Sequence, residues 1–187
     1  MALLRVLTYG DERLYGRSKP VERMTADLRQ QIADMAETMY AAKGAGLAAP
    51  QVGIAQRLFV LDVDQMEEND HSKKPGQLRV FVNAEIVWTS EEDSPYVEGC
   101  LSLPGVEAEV HRAARIRVRY RNEQWEPCEE EVDGLLARVI QHEVDHLDGI
   151  LFVDRLGFAK RQALAAQLRR LRNERETIVV PADLMPK

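Results

Sequence analysis

Gly134-Leu135-Leu136-Ala137-Arg138-Val139-Ile140-Gln141-His142-Glu143-Val144-Asp145-His146-Leu147 is the stretch on which the fold turns. Leu135, Leu136, Val139, Ile140, Val144 and Leu147 follow helical spacing and form an apolar stripe too broad for a surface helix. The helix is therefore expected to lie deep, with the rest of the chain packed around it. It contains His-Glu-x-x-His. Residues four apart share a helix face, so His142 and His146 can aim at one ion. Glu143 is rotated off that face and can reach a water beside the ion without being a ligand. Two neutral imidazoles and a carboxylate base suit metal-assisted hydrolysis. The plain alternative is a helix that carries two histidines by coincidence. In so apolar a helix, unpartnered imidazoles and carboxylates would be costly, which argues against it.

Outward from this helix, Thr25–Ala42 reads as an N-terminal helix. Its stripe is Leu28, Ile32, Met35 and Met39, and Gly44 and Gly46 are expected to stop it. Leu58–Val63 is a short β-rich run, and Arg79–Thr89 and Arg115–Asn122 read as strands. In the last of these, Ile116, Val118 and Tyr120 alternate with four arginines, giving one buried and one wet face, as in an antiparallel sheet. The arginine row is read as a solvated face. A C-terminal helix is expected over Phe158–Glu174, with Leu164, Leu168 and Leu171 on one side. Residues 64–77 read as a surface loop insertion and 177–187 as a loose tail. The order of elements predicts an α+β fold: antiparallel β-sheets around a central helix carrying the His-Glu-x-x-His motif, with an N-terminal and a C-terminal helix, all one domain over 1–187.

Composition narrows the functional classes. The chain has 187 residues, 45% of them apolar, enough for a real core and too many for wholesale disorder. No apolar run reaches the ~18 residues of a membrane span. Acids outnumber bases 31 to 25, a net charge of −6, which opposes DNA binding through a broad basic face. The apolar opening Met1–Leu7 is short and is followed at once by Asp11-Glu12, so no export signal is read. An intracellular protein is expected, in the bacterial cytosol or as a processed organellar form. Two cysteines, Cys100 and Cys128, are too few for a disulfide scaffold. Cys128 lies among charged residues and is read as incidental.

A catalytic ion usually needs a third protein ligand. The four histidines are His71, His111, His142 and His146, so none follows the motif. Downstream carboxylates exist at Asp148, Asp154, Glu174 and Glu176. Upstream, Glu98-Gly99-Cys100-Leu101-Ser102 offers a thiolate, and Gly99 allows close backbone approach. The residues alone leave open a zinc endopeptidase with Glu174 or Glu176 as ligand, a structural ion in a non-enzymatic domain, and a hydrolase that uses Cys100.

Three segments together resemble peptide deformylase: Gly44-Ala45-Gly46-Leu47-Ala48-Ala49-Pro50-Gln51, Glu98-Gly99-Cys100-Leu101-Ser102 and Gln141-His142-Glu143-Val144-Asp145-His146-Leu147-Asp148-Gly149. The resemblance runs from the opening residues to about Arg155. It implies Cys100, His142 and His146 as metal ligands and Glu143 as general acid/base. It implies the Gln51 amide and the Leu101 N–H as oxyanion donors. Gly46 and Gly99 would line the substrate groove by their backbone, with Leu135 and Val139 walling a methionine pocket. The implied reaction is removal of the formyl group from the N-terminal formyl-methionine of new polypeptides, by attack of a metal-bound water on the formyl carbon. The implied cofactor is one divalent ion per chain, Fe2+ in the cell, with Zn2+, Ni2+ or Co2+ also able to fill the site. The implied partners are N-formyl-methionyl nascent chains and proximity to the ribosome. Glu98 is read either as a partner of Arg112 that holds the cysteine strand or as a surface carboxylate, and Arg138 is given no role.

Overall fold

The computed structural model describes residues 3–64 and 76–174. Helix α1 (Ala26–Ala41) is followed by strands β1 (Gly46–Ala48), β2 (Leu58–Leu61) and β3 (Arg79–Thr89). A hairpin of β4 (Asp93–Glu98) and β5 (Ala108–Ala113) precedes β6 (Arg115–Arg121) and β7 (Pro127–Asp133). Then come α2 (Gly134–Leu147), α3 (Phe158–Ala163) and α4 (Ala165–Glu174). One sheet has the order β1-β2-β3-β6-β7, and β4 and β5 pair separately; every strand pair is antiparallel. This is the α+β class read from the sequence.

The broad stripe of α2 has the expected consequence. Ala137, Ile140, Val144 and Leu147 pack on Phe59, Leu61, Phe81, Ile116 and Val118, one face of the larger sheet. On the other face α1 buries Leu28, Ile32, Met35 and Met39 against Leu47, Leu58, Val60 and Val80. Each such aliphatic side chain contributes ~1.5–3 kcal/mol relative to exposure. Strand β2 is covered on both faces, so all four of its residues are apolar and buried. Strand β6 alternates instead, with Ile116 and Val118 inside and Arg115, Arg117 and Arg119 outside. Those arginines pair with Glu131 and Glu129 of β7, so the row is a charge-compensated solvated face. A third cluster, including Leu103, Val106, Val110, Phe152, Leu168 and Leu171, joins the β4–β5 hairpin to the C-terminal helices.

Thr25 caps α1, its Oγ1 accepting from the Leu28 N–H at 3.1 Å. The stop differs from expectation. Lys43, not a glycine, takes the left-handed conformation (φ 55°). The Gly44 N–H bonds the Met39 carbonyl at 2.9 Å and the Lys43 N–H bonds Tyr40 at 3.0 Å, closing a Schellman motif. A Cβ at Gly44 would lie 2.8 Å from Leu101 Cδ1, so a larger residue there would push that side chain aside. Gly46 belongs to β1. The single C-terminal helix expected over Phe158–Glu174 is two helices. At Leu164 the chain tightens, its N–H bonding Arg161 three residues back (3.2 Å), and this turn lets Leu168 and Leu171 reach the third cluster. The 177–187 tail and most of the 64–77 insertion lie outside the described residues.

The opening segment crosses the end of α2. The Ser18 N–H bonds the Leu147 carbonyl at 2.8 Å. Gly149, at φ 75°, passes so close to Tyr15 that a Cβ would meet its carbonyl oxygen at 2.4 Å.

Candidate active site

The third apolar cluster fixes the β4–β5 hairpin beside α2, and this brings Cys100, just past β4, to the two histidines. One donor atom from each of Cys100, His142 and His146 lies within 4.8 Å of the others, and Cys100 Sγ is 3.3 Å from His146 Nε2. Tetrahedral coordination by one thiolate and two imidazoles sets its donors roughly 3.3–3.6 Å apart; Cys100 and His146 already stand at that spacing, and the three donors are of the types that hold a divalent ion. Cys100 opens a turn closed by the Leu103 N–H on the Cys100 carbonyl at 2.9 Å, and Leu101 is the next residue in that turn.

The other candidate ligands are spent elsewhere. Asp148 pairs with Arg57 at 2.7 Å, Asp154 with Arg161 at 2.9 Å and Glu174 with Arg170 at 3.3 Å. Among the described residues, Cys100, His142 and His146 form the sole such donor cluster. His71 and Glu176 lie outside the described residues.

Glu143 is 3% exposed, and its Oε2 has no hydrogen-bond partner within the protein. Burial pushes its carboxyl up to about 7. The nearest wall is Gly46, where a Cβ would sit 2.5 Å from Glu143 Oε1. Gly46 therefore makes room for this carboxylate, a role the sequence does not announce. Gln51 is 2% exposed. Its Oε1 accepts from the Ala48 N–H at 2.8 Å, and its Nε2 faces Cys100 Sγ at 3.5 Å and Ser102 Oγ at 3.2 Å. The local backbone bond and the approach to the sulfur are thus one arrangement: the first orients the amide for the second. A cavity of about 520 Å³ opens here, lined by Gly46, Gln51, Gly99, Cys100, Leu101, Leu135, Val139, His142 and Glu143 among others.

Behind the histidines lies a buried ionic network. Glu98 Oε2 meets His142 Nδ1 at 3.0 Å and Arg112 Nη2 at 2.9 Å. Its Oε1 accepts from Arg112 Nε at 2.6 Å and Arg138 Nη1 at 2.5 Å. Burial alone would raise the Glu98 carboxyl, but Arg112 and His142 outweigh it and hold it well below the usual carboxylate range. Arg112 also reaches Asp145 at 2.7 Å, and Asp145 is clamped by Arg155. Burial disfavours a charged His142, yet Cys100 and Glu98 push it up to about 10; burial and then His142 hold His146 well below its ordinary value. An ionised Glu98 on Nδ1 leaves Nε2 of His142 for the donor cluster. Of this network the sequence suggested the Glu98–Arg112 pair alone. Arg138, Asp145 and Arg155 were missed; Arg138 and Asp145 share the face of α2 opposite its apolar stripe, and the expectation that the whole helix lies deep was the available signal, since buried charges need partners.

A buried carboxylate beside one sulfur and two imidazole nitrogens, at the base of a cleft, defines a hydrolase of the metal-dependent class. The sequence model of the polypeptide deformylase family matches residues 3–162. The chain is 49% identical over 170 residues to a peptide deformylase of Chromobacterium violaceum, covering 91% of this chain and 96% of that protein. It is 47% identical over 171 residues to peptide deformylase 1 of Burkholderia multivorans, covering 91% and 90%. The crystal structure of a peptide deformylase from Legionella pneumophila superposes with a TM-score of 0.81 at 39% identity, covering 92% of this chain and 97% of that one. The chain belongs to the polypeptide deformylase family, hydrolases that remove the N-formyl group from nascent polypeptides. Among the described residues no helix is long and apolar enough to cross a membrane.

Proposed function

We propose that this chain deformylates N-formyl-methionyl polypeptides with one divalent ion held by Cys100 Sγ and a ring nitrogen each of His142 and His146. The observation that carries the reading is the compact three-donor cluster beside the buried, unpartnered Oε2 of Glu143. Bound there, such an ion supplies Lewis acidity and a water of lowered pKa. One thiolate and two neutral imidazoles leave the site a formal +1, against +2 for three imidazoles, so more of the proton transfer falls to Glu143.

Glu143 takes the proton of the attacking water at Oε2 and delivers it to the departing amine nitrogen. Gln51 Nε2 and the Leu101 N–H donate to the oxyanion that develops on the formyl oxygen, each worth ~3 kcal/mol. Gly46 and Gly99 let the peptide backbone approach, and Leu135 and Val139 receive the methionine side chain. Fe2+ is the ion in the cell, with Zn2+, Ni2+ or Co2+ as competent substitutes; imidazole and thiolate donors suit all of these. The substrates are chains emerging from the ribosome, which sets the enzyme near it in the bacterial cytosol.

The test is anaerobic purification with metal analysis, followed by assay on formyl-Met-peptide, acetyl-Met-peptide and an internal peptide bond. One ion per chain and cleavage of the formyl substrate are expected, both abolished by Cys100→Ala. A Cys100→Ala protein that keeps its ion and its turnover would overturn the ligand set.

A further inference from the structure

Arg138 is a buried charge in the cavity wall that the chemistry above does not use. It is 5% exposed and sits on α2 one turn before His142. A guanidinium taken out of water must be matched by partners. Its partners all belong to the hairpin that delivers Cys100. Nη1 donates to Glu98 Oε1 at 2.5 Å and to the Val110 carbonyl at 3.3 Å, and Nη2 donates to the Ser94 carbonyl. The face of the Tyr96 ring lies 5.5 Å from its Cζ.

Glu98 therefore meets α2 at two points a turn apart, Arg138 through Oε1 and His142 through Oε2. Arg112 grips the same carboxylate from β5. Without Arg138, the direct tie of Glu98 to the helix would be His142 itself, the residue to be held, with an indirect one through Arg112 and Asp145. Arg138 supplies a direct tie and anchors the main chain of β4 and β5 with the same fork. A planar guanidinium can hold three such acceptors in fixed directions, which a single ammonium cannot.

We infer that Arg138 is a positioning residue for the metal centre: by clamping Glu98 and the β4–β5 hairpin onto α2, it fixes His142 and the Cys100 sulfur relative to each other. The proposal rests on the ligand set given under Proposed function. Loss of an outer partner of a metal-binding histidine typically weakens metal binding ~10–100-fold. Arg138→Met keeps the side-chain bulk and removes the donors; Arg138→Lys keeps the charge with fewer donors. The purified protein is stripped of metal, and Co2+ affinity is measured by competition with a chromophoric chelator. The visible spectrum of the Co2+ form, including its thiolate charge-transfer band, is recorded alongside, and circular dichroism checks the fold.

Arg138→Met is expected to bind Co2+ at least 10-fold more weakly with a displaced charge-transfer band, and Arg138→Lys to fall between it and the parent. In a Glu98→Gln background, Arg138→Met should weaken binding less than 3-fold further, because the shared route is already broken. Folded Arg138→Met with parental affinity and spectrum would overturn the proposal, as would full additivity with Glu98→Gln. Should Arg138→Met fail to fold, Arg138→Lys with parental affinity and spectrum decides against it equally. Cys100→Ala in the same titration separates the two readings: if it too binds Co2+ like the parent, the ligand set itself falls.

Discussion

Replacing Gly46 by alanine probes the Glu143 carboxylate, and the proton transfer proposed for it, from outside. The methyl would lie 2.5 Å from Glu143 Oε1, 2.9 Å from its Cδ and 3.1 Å from its Cγ. The backbone cannot yield easily, because Gly46 pairs with Leu61 in the β1–β2 ladder. A comfortable contact is ~3.5 Å, so the carboxylate must retreat by ~1 Å. Rotating it off its preferred torsion costs ~0.5–1.5 kcal/mol, partly offset by the stiffer unfolded chain that alanine gives. Global stability should thus change by about 1 kcal/mol or less. Turnover should suffer far more, since a 1 Å misplacement of a reacting group costs ~10²-fold, or ~2.7 kcal/mol of barrier. The assay is kcat on a formyl-Met-peptide at saturation, with metal content by elemental analysis and stability by urea titration. A folded, fully metallated Gly46→Ala enzyme with kcat within 3-fold of the parent would refute the claim that this glycine reserves space for Glu143.

Glu143→Ala should retain its ion and lose nearly all turnover; near-normal activity in a metallated variant would remove Glu143 from the reaction. Gln51→Leu should lower kcat by ~10²–10³-fold while metal content holds, and a full-rate variant would show that the amide merely closes its turn on Ala48. Arg112→Met leaves Glu98 and Asp145 each short of a buried partner, with a destabilisation of ~3–5 kcal/mol in urea titration. A loss under 1 kcal/mol would mean that Arg138 and Arg155 carry the network unaided.

The central helix was legible because its apolar stripe is wide, and wide stripes are rare outside cores. Strand β7 was not: Pro127-Cys128-Glu129-Glu130-Glu131-Val132-Asp133 has the composition of a charged loop. It becomes a strand because Arg115, Arg117 and Arg119 stand opposite, a pairing that exists only after the chain has folded back. Strand β4 carries Pro95 and leaves Tyr96 and Val97 more than half exposed, so it shows no core-facing alternation; as a strand of a two-stranded sheet it can tolerate the proline. Within the site, His142, Glu143 and His146 follow from helical spacing. Cys100 and Gln51 are 42 and 91 positions away from His142; the empty ligand position pointed to Cys100 among other candidates, and only the family resemblance drew in Gln51. Of the ionic network behind them the Glu98–Arg112 pair was suggested, and the rest was not legible for the same reason: a sequence shows charges but not which of them meet.

The crossing of the opening segment over the end of α2 has a bearing on the order in which the molecule is made. Gly149 and Tyr15 lie 134 positions apart in the chain, and their backbones pack so closely that no side chain fits at 149. Closing so long a loop is slow. During synthesis the amino terminus must therefore wait, unfinished, until the histidine-bearing helix has left the ribosome. The enzyme that trims the beginnings of other chains cannot lock down its own Tyr15–Ser18 segment until the histidine-bearing helix far along the chain has been translated.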